Sequence, residues 1–485
     1  VKTDLYRAIN TTLMPGFDGA VAPGWLLEAL ADGLGSVCLF DTNVVDPDQL
    51  RALTASIHAA NPNALVALDE EGGDVTRLHH RTGSPHPSAA YLGALNAPET
   101  TRSVARNLGL ELRAAGVDLN LAPVADVNTN PLNPVIGVRS YGSQPQVVAD
   151  HVAAFTEGLQ SVGVAACAKH FPGHGDTSAD SHRELPTIAV DHGQLRVREL
   201  VPFRAAVAAG TWAVMTSHIL VPSIDPDWPA TLSEPVLRLL REDLGFTGVI
   251  VSDAIDMAGA SEGRGLGEAA VLALKAGVDL LCIGAGNTEE EVSGIRDHIA
   301  DAVQEGRLEA RRVFEAADRV AGLAGILAEA RLAPAPIACL PALDAAVFRR
   351  RGPLAPVRAP MLLLLDTPVN IAAGQTPWGI NEQLADEVAR SLPGSTFARA
   401  GDLTELEAIS AAHPDTPIVA QGKDFHRVRF LHEAAKLLRR THPNTILVEE
   451  GWPTPNGDPA VDVITFGAGR ATMLCLIELL ATGSD

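Results

Sequence analysis

The chain alternates short apolar runs with longer stretches in which apolar residues recur every three or four positions. Runs at 8–14, 36–40, 64–68, 118–121, 164–168, 213–216, 248–251 and 279–283 are bounded by turn residues and are too short for buried helices. Each predicts a strand buried on both faces. The stretches between them, such as 101–115, 146–161, 195–209 and 267–276, carry the helical period. Repeated strand–helix alternation leads to a parallel sheet, because each crossover helix returns the chain to start the next strand in the same direction. Eight such strands predict a (β/α)8 TIM-type barrel.

A helix-rich tail, 289–330, runs into 331–360, where six prolines and little periodicity predict a linker. Beyond it the alternation resumes, with strands expected at 361–365, 417–420, 445–448 and 461–465 and helices at 381–392, 427–440 and 472–481. The expected organisation is therefore α/β throughout: a barrel over 1–330, a Pro-rich linker over 331–360, and a smaller α/β domain with an open sheet over 361–485. Gly467-Ala468-Gly469 follows a strand and precedes a helix. It lacks the third glycine and downstream acid of a dinucleotide fingerprint, so a tight turn is the expectation.

Composition narrows the class. A net charge of −22 argues against nucleic acid, whose phosphates need clustered cations. No apolar run reaches the length of a membrane span. Val1-Lys2-Thr3-Asp4 shows no secretory pattern, so a cytoplasmic protein is expected, with an already processed secreted form as the other reading. Five scattered cysteines without CxxC spacing read as small buried hydrophobes in a reducing compartment. Lysine is scarce, five against 32 arginines, which singles out a lysine at a strand end.

Barrel active sites form at the C-terminal ends of strands. There the third strand runs into Asp69-Glu70-Glu71-Gly72-Gly73-Asp74, and the fourth into Asp126 and a long loop with Arg139. The fifth runs into Lys169-His170-Phe171-Pro172-Gly173-His174-Gly175-Asp176 and then Asp180-Ser181-His182; the sixth ends in Ser217-His218 and the seventh in Ser252-Asp253. Charges and imidazoles thus gather at one rim after five consecutive strands. Sugar hydrolysis with retention needs a carboxylate nucleophile, a proton donor across the ring and side chains that hold hydroxyls. A strand-end aspartate such as Asp253 is, by itself, as well read as a structural cap. A metal site is the rival for the histidines, disfavoured because Lys169 puts a cation where a metal wants anions and no His-x-His follows an early strand.

The run KHFPGHGDTSADSH at 169–182 resembles the signature of glycoside hydrolase family 3, in its β-N-acetylglucosaminidase (β-N-acetylhexosaminidase) branch. DEEGG at 69–73, NPVIGVRSYG at 133–142 and VSDAIDM at 251–257 are similar to the same family in order and spacing. The resemblance implies that Asp253 is the nucleophile, His182 the acid/base and Asp180 the partner that orients His182. It implies substrate-binding roles for Asp69, Arg77, Arg139, Lys169 and His170, and a small carbohydrate substrate with neither metal nor organic cofactor. The activity implied is release of terminal non-reducing β-linked GlcNAc from peptidoglycan fragments or chitin oligosaccharides through a covalent glycosyl-enzyme. A phosphorylase that opens the intermediate with phosphate and a dual-specificity β-glucosidase are the rivals, and the oligomeric state is left open. Two positions depart from the family pattern. Asp74 stands where arginine is common, and Glu70 where glutamine is frequent.

Overall fold

The computed structural model describes residues 2–179, 185–331, 343–368, 370–454 and 461–484. The chain divides into two compact units, the first comprising Val1–Glu70, Ala97–Pro134 and Gly142–Cys339. Its strands are β1 (Leu13–Pro15), β2 (Ser36–Leu39), β3 (Leu65–Leu68), β4 (Leu119–Asn120), β5 (Ala165–Phe171), β6 (Ala213–Thr216), β7 (Val249–Val251) and β8 (Leu281–Gly284). A parallel ladder runs in the order β7-β6-β5-β4-β3-β2. β1 pairs in parallel with β8, a bridge from Val251 to Leu280 joins β7 to the start of β8, and β1 packs beside β2. The eight strands therefore go round a (β/α)8 barrel.

Alternation with period two decides which side chains fill it. Cys38, Leu65 and Ala67, Leu119 and Leu121, Ala165 and Cys167, Ala213 and Met215, Val249 and Val251, and Leu280 and Cys282 form one buried cluster. The helix Ala310–Arg331 adds Val320, Leu323, Ala324 and Leu327 to it. That helix closes the N-terminal mouth. Arg312 and Arg319 reach Asp279 at 2.5 and 3.0 Å, and Arg331 pairs with Asp118 at 2.8 Å. Both carboxylates stand just before strands β8 and β4. Asp279 also receives Arg241, so a fully buried charge is matched by several donors rather than left alone.

One expected strand is a helix over most of its length. The apolar run 8–14 predicts an extended segment, but Lys2–Thr11 is helical and only Leu13–Pro15 is strand. The polar residues Asp4, Arg7 and Thr11 share a helical face, and the Thr11 hydroxyl bonds back to the Arg7 carbonyl at 3.0 Å. Backbone and hydroxyl of Thr12 both donate to Ile9 and end the helix there. The stretch 195–209, read as one helix, is two, His192–Val197 and Leu200–Ala208, separated at Arg198-Glu199.

The second unit comprises Glu71–Asn96, Val135–Tyr141 and Leu340–Asp485. Its sheet contains β9 (Arg349–Arg350), β10 (Met361–Leu365), β11 (Thr396–Ala400), β12 (Ile418–Gly422), β13 (Ile446–Glu449) and β14 (Val463–Ile464), in the order β9-β14-β13-β12-β10-β11. All pairs are parallel except β9 with β14. β9 lies in the stretch expected as linker, and β11 has no apolar run because it is an edge strand with only Ala400 buried. Gly467-Ala468-Gly469 is a close-packed turn. A Cβ on Gly469 would stand 2.9 Å from the Gly73 carbonyl, and Gly467, at φ +146°, backs onto the Ser88 side chain. Cys38, Cys167, Cys282 and Cys475 are buried free thiols, and Cys339 lies outside the described residues. Among the described residues no helix is long and apolar enough to cross a membrane.

Candidate active site

In the first unit, polar groups gather at the C-terminal end of β3, β5 and β7. Asp69 follows β3, and its Oδ1 accepts from Lys169 Nζ at 2.6 Å. Lys169 is inside β5 and its side chain is 3% exposed against 18% for Asp69, so the cation is buried and the carboxylate leads toward solvent. Asp253 follows β7 and is half-buried; its backbone N–H points at Thr216 Oγ1, 3.4 Å away, and its Oδ1 accepts from the Ala254 N–H at 2.9 Å. His218, after β6, bonds through Nε2 to the Ala254 carbonyl at 2.9 Å. The end of β7 is thus held from the neighbouring strand on both sides of Asp253. Burial pushes the Cys167 thiol well up; Lys169 opposes the shift, and Asp69 and Asp253 add to it.

A second cluster lies beside it. Asp126 is fully buried and accepts from His170 Nδ1 at 2.7 Å, from the His170 backbone N–H at 3.2 Å and from the His174 backbone N–H at 2.6 Å. The peptides Lys169–His170 and Phe171–Pro172 are cis. His174 is buried against Thr177 Oγ1 at 2.8 Å, and burial, aided by His170, lowers its imidazole to about 4 while Asp126 and Asp253 act against the shift. Asn133 Nδ2 donates to the His174 carbonyl at 2.8 Å, and Arg198 joins Asp176 to the buried Glu199. Burial pushes the Glu199 carboxyl up to about 7, with Arg198 opposing.

The second unit holds the two arginines singled out by the sequence. Arg139 clasps Glu71 with two hydrogen bonds, 2.9 and 2.8 Å, and donates to the Val135 carbonyl at 3.2 Å. Arg77 is buried and donates to the Ala372 carbonyl at 2.9 Å. Asp74, the departure from the family pattern, pairs with Lys423 at 2.6 Å and accepts from the Ala468 N–H at 3.0 Å. An arginine at this position would face the Lys423 ammonium, so the aspartate suits the partner that this chain provides. Glu70, the other departure, exchanges backbone hydrogen bonds with the Asn120 side chain in the first unit.

The structure therefore gathers Asp69, Lys169, His170 and Asp253 in the barrel, and gives Arg77 and Arg139 protein partners in the second unit. Asp180 and His182 lie outside the described residues. Sequence reasoning named Asp126 without giving it a role. The available signal was a single carboxylate inside the apolar run Ala122–Val127, which burial obliges to find donors. Thr216 and Glu199 were missed, because neither stands in a motif that shows its partner.

Residues 26–323 match the family profile described as the glycosyl hydrolase family 3 N-terminal domain. The β-hexosaminidase A of Pseudoalteromonas piscicida is 32% identical over 343 residues, covering 65% of this chain and 56% of that protein, so this chain spans little more than half of that relative. The β-hexosaminidase of Thiobacillus denitrificans is 41% identical over 264 residues, covering 52% of this chain and 72% of its own length. A solved glycoside hydrolase family 3 β-N-acetylglucosaminidase from Paenibacillus sp. strain FPU-7 superposes with a TM-score of 0.86 at 29% identity, covering 98% of this chain and 96% of its own. With well over half of its length matched and a barrel of this form, the chain belongs to glycoside hydrolase family 3.

Proposed function

We propose that this protein is a retaining exo-β-N-acetylglucosaminidase that removes terminal non-reducing β-linked GlcNAc from peptidoglycan fragments or chitin oligosaccharides. The observation that carries the reading is Asp253, half-buried at the end of β7, with its backbone N–H facing Thr216 and the Ala254 carbonyl beside it held by His218, on the same rim of strand ends as the Asp69–Lys169 pair. Relatives named β-hexosaminidase and β-N-acetylglucosaminidase support the same substrate class.

Asp253 attacks the anomeric carbon and forms a glycosyl ester, while a donor across the ring protonates the leaving oxygen. His182 supplies that proton and then takes one from the incoming water, with Asp180 orienting its ring. Asp69, its charge fixed by Lys169, accepts from sugar hydroxyls, and His170, steadied by Asp126, meets another.

The test is chemical labelling. A 5-fluoro-glycosyl inactivator is expected to esterify Asp253, and Asp253→Ala to lose at least ~10³-fold in kcat, as loss of a covalent nucleophile does. A label found by mass spectrometry on Asp69 or Asp126 would overturn the assignment. An α-anomer as the first product in NMR would overturn retention.

A further inference from the structure

The stretch after β5 that leads to Asp180 and His182 is rooted in a group of charges that the chemistry above does not use. Ahead of those two residues the chain is tied at three points. The His174 carbonyl accepts from Asn133, the Thr177 carbonyl accepts from Asn130 Nδ2 at 3.1 Å, and Asp176 pairs with Arg198 at 2.6 Å. Beyond them it is tied again. Thr187 bridges Leu220 in parallel, the Leu220 N–H donates to the Pro186 carbonyl at 2.8 Å, and the Ile188 N–H donates to the Leu220 carbonyl at 3.0 Å. Of these ties, the one through Asp176 is an ion pair, and its cation comes from a break between two helices.

Consecutive residues of an unbroken helix do not face each other. Between His192–Val197 and Leu200–Ala208, however, Arg198 takes φ −122° and ψ −72°, and both it and Glu199 reach the β5 loop. Glu199 is fully buried, and Gly173 lies directly on it. At φ +133°, a Cβ on Gly173 would stand 2.8 Å from Glu199 Oε2 and 3.0 Å from its Cβ. Oε1 accepts from Arg198 Nε, whereas Oε2 has no hydrogen-bond partner among the described residues. Of the charges acting on this carboxyl, Asp126 and Asp176 are anionic and Arg198 opposes them. The guanidinium thus spans two carboxylates through different nitrogens, one buried in the fold and one on the loop, which its planar fork can do and a lysine ammonium cannot.

We propose that Arg198, seated on Glu199 and tied to Asp176, is a positioning residue for proton transfer: it fixes the root of the loop whose acid/base serves the leaving oxygen. The inference rests on the assignment of the acid/base to this loop and deepens it by naming what holds the donor in place. Asp180 and His182 follow Asp176 by four and six positions, so a root that shifts carries them with it. A displacement of ~1 Å at a reacting group can cost ~10²-fold in rate.

The mark of such a role is dependence on the leaving group. Dinitrophenolate leaves a β-GlcNAc glycoside without a proton, whereas the sugar leaving the β-1,4-linked GlcNAc disaccharide needs one. For each protein, kcat/KM on the disaccharide is divided by kcat/KM on the dinitrophenyl glycoside, so any loss of folded protein cancels. Arg198→Met and Asp176→Ala are each expected to lower this ratio about tenfold, and Arg198→Lys to lower it less. Asp176→Ala leaves the buried Glu199 its cation, so it serves as the folded variant should Arg198→Met fail to fold. The double variant is expected to fall no further than either single one, because both remove the same tie. A ratio that stays put in Asp176→Ala, or two substrates slowed alike, overturns the proposal, and losses that simply add in the double variant overturn the tie. His182→Ala, assayed beside them, tests the acid/base reading separately. Should it leave the ratio unchanged while Asp176→Ala lowers it, the donor is another residue on the loop and the role of Arg198 stands. Should the wild type open only glucosides, the same ratios on the matching glucosides decide.

Discussion

Asp126 shows how one residue shapes a site that it does not line. An ionised carboxylate only accepts, so the His170 ring nitrogen that faces it carries the proton, and the ring cannot turn without losing that bond. Asp126→Asn keeps the shape but puts an amide donor where an acceptor stood, forcing the ring to turn or to move its proton. The expected result is a fall in kcat/KM of about ten- to a hundredfold, the usual loss when the partner that orients a histidine is removed. Circular dichroism melting run beside the kinetics separates this from unfolding. Unchanged kinetics in a folded variant would show that the enzyme makes no use of His170's orientation. The same rule explains Asp69: its partner Lys169 is one of only five lysines, and its scarcity marked it in the sequence before any distance was known.

At the scale of elements, the helices Pro98–Ala114 and Pro145–Gln160 pack side by side with a histidine inside the second. His151 is buried, bonded to Thr101 Oγ1 at 2.7 Å, and burial lowers its imidazole to about 4. Between pH ~6.5 and ~4 the unfolded chain therefore takes up a proton that the folded one refuses, so stability falls as the pH drops through that window. His174 works in the same direction. Glu199 works in the opposite one: raised to about 7, it keeps its proton in the fold where the unfolded chain gives it up, so its contribution is lost as the pH rises from ~4.5 toward ~7. Because these trends overlap, the wild-type curve alone identifies neither group. In His151→Gln the drop in melting temperature between pH 7 and pH 4.5 is expected to be smaller than in the wild type. Equal drops would mean that His151 does not remain neutral in the fold.

For the whole molecule, the notable feature is that the second unit is assembled from three pieces of chain. Within it, Tyr91 meets Phe348 edge to face and exchanges hydrogen bonds with Asp344, the Ala471 N–H donates to the Ser84 carbonyl at 3.2 Å, and Asp74 pairs with Lys423. A chain ended at 331 would leave 71–96 and 135–141 without the body they pack on, exposing Tyr91 and the charge of Asp74. Such a chain is expected to aggregate or to melt several degrees lower; melting like the full chain would show that these segments hold their shape unaided. This arrangement was not visible in the sequence, although much else was. Seven of the eight barrel strands could be read from apolar runs, because a strand buried on both faces admits little else, and the rim residues followed from where those strands end. The helix at Lys2–Thr11 and the edge strand β11 could not: the apolar run at 8–14 overlaps a helix whose polar face begins upstream of it, and an edge strand covered on few sides carries no apolar run. The sequence by itself determined the alternation of elements and the chemistry carried to their ends, because both depend on residue type and spacing. Only the tertiary structure decided that Asp126 holds His170, that Arg139 is clasped by Glu71, and that Trp228 meets Arg264. Those pairs lie 44, 68 and 36 residues apart, and no local rule relates them.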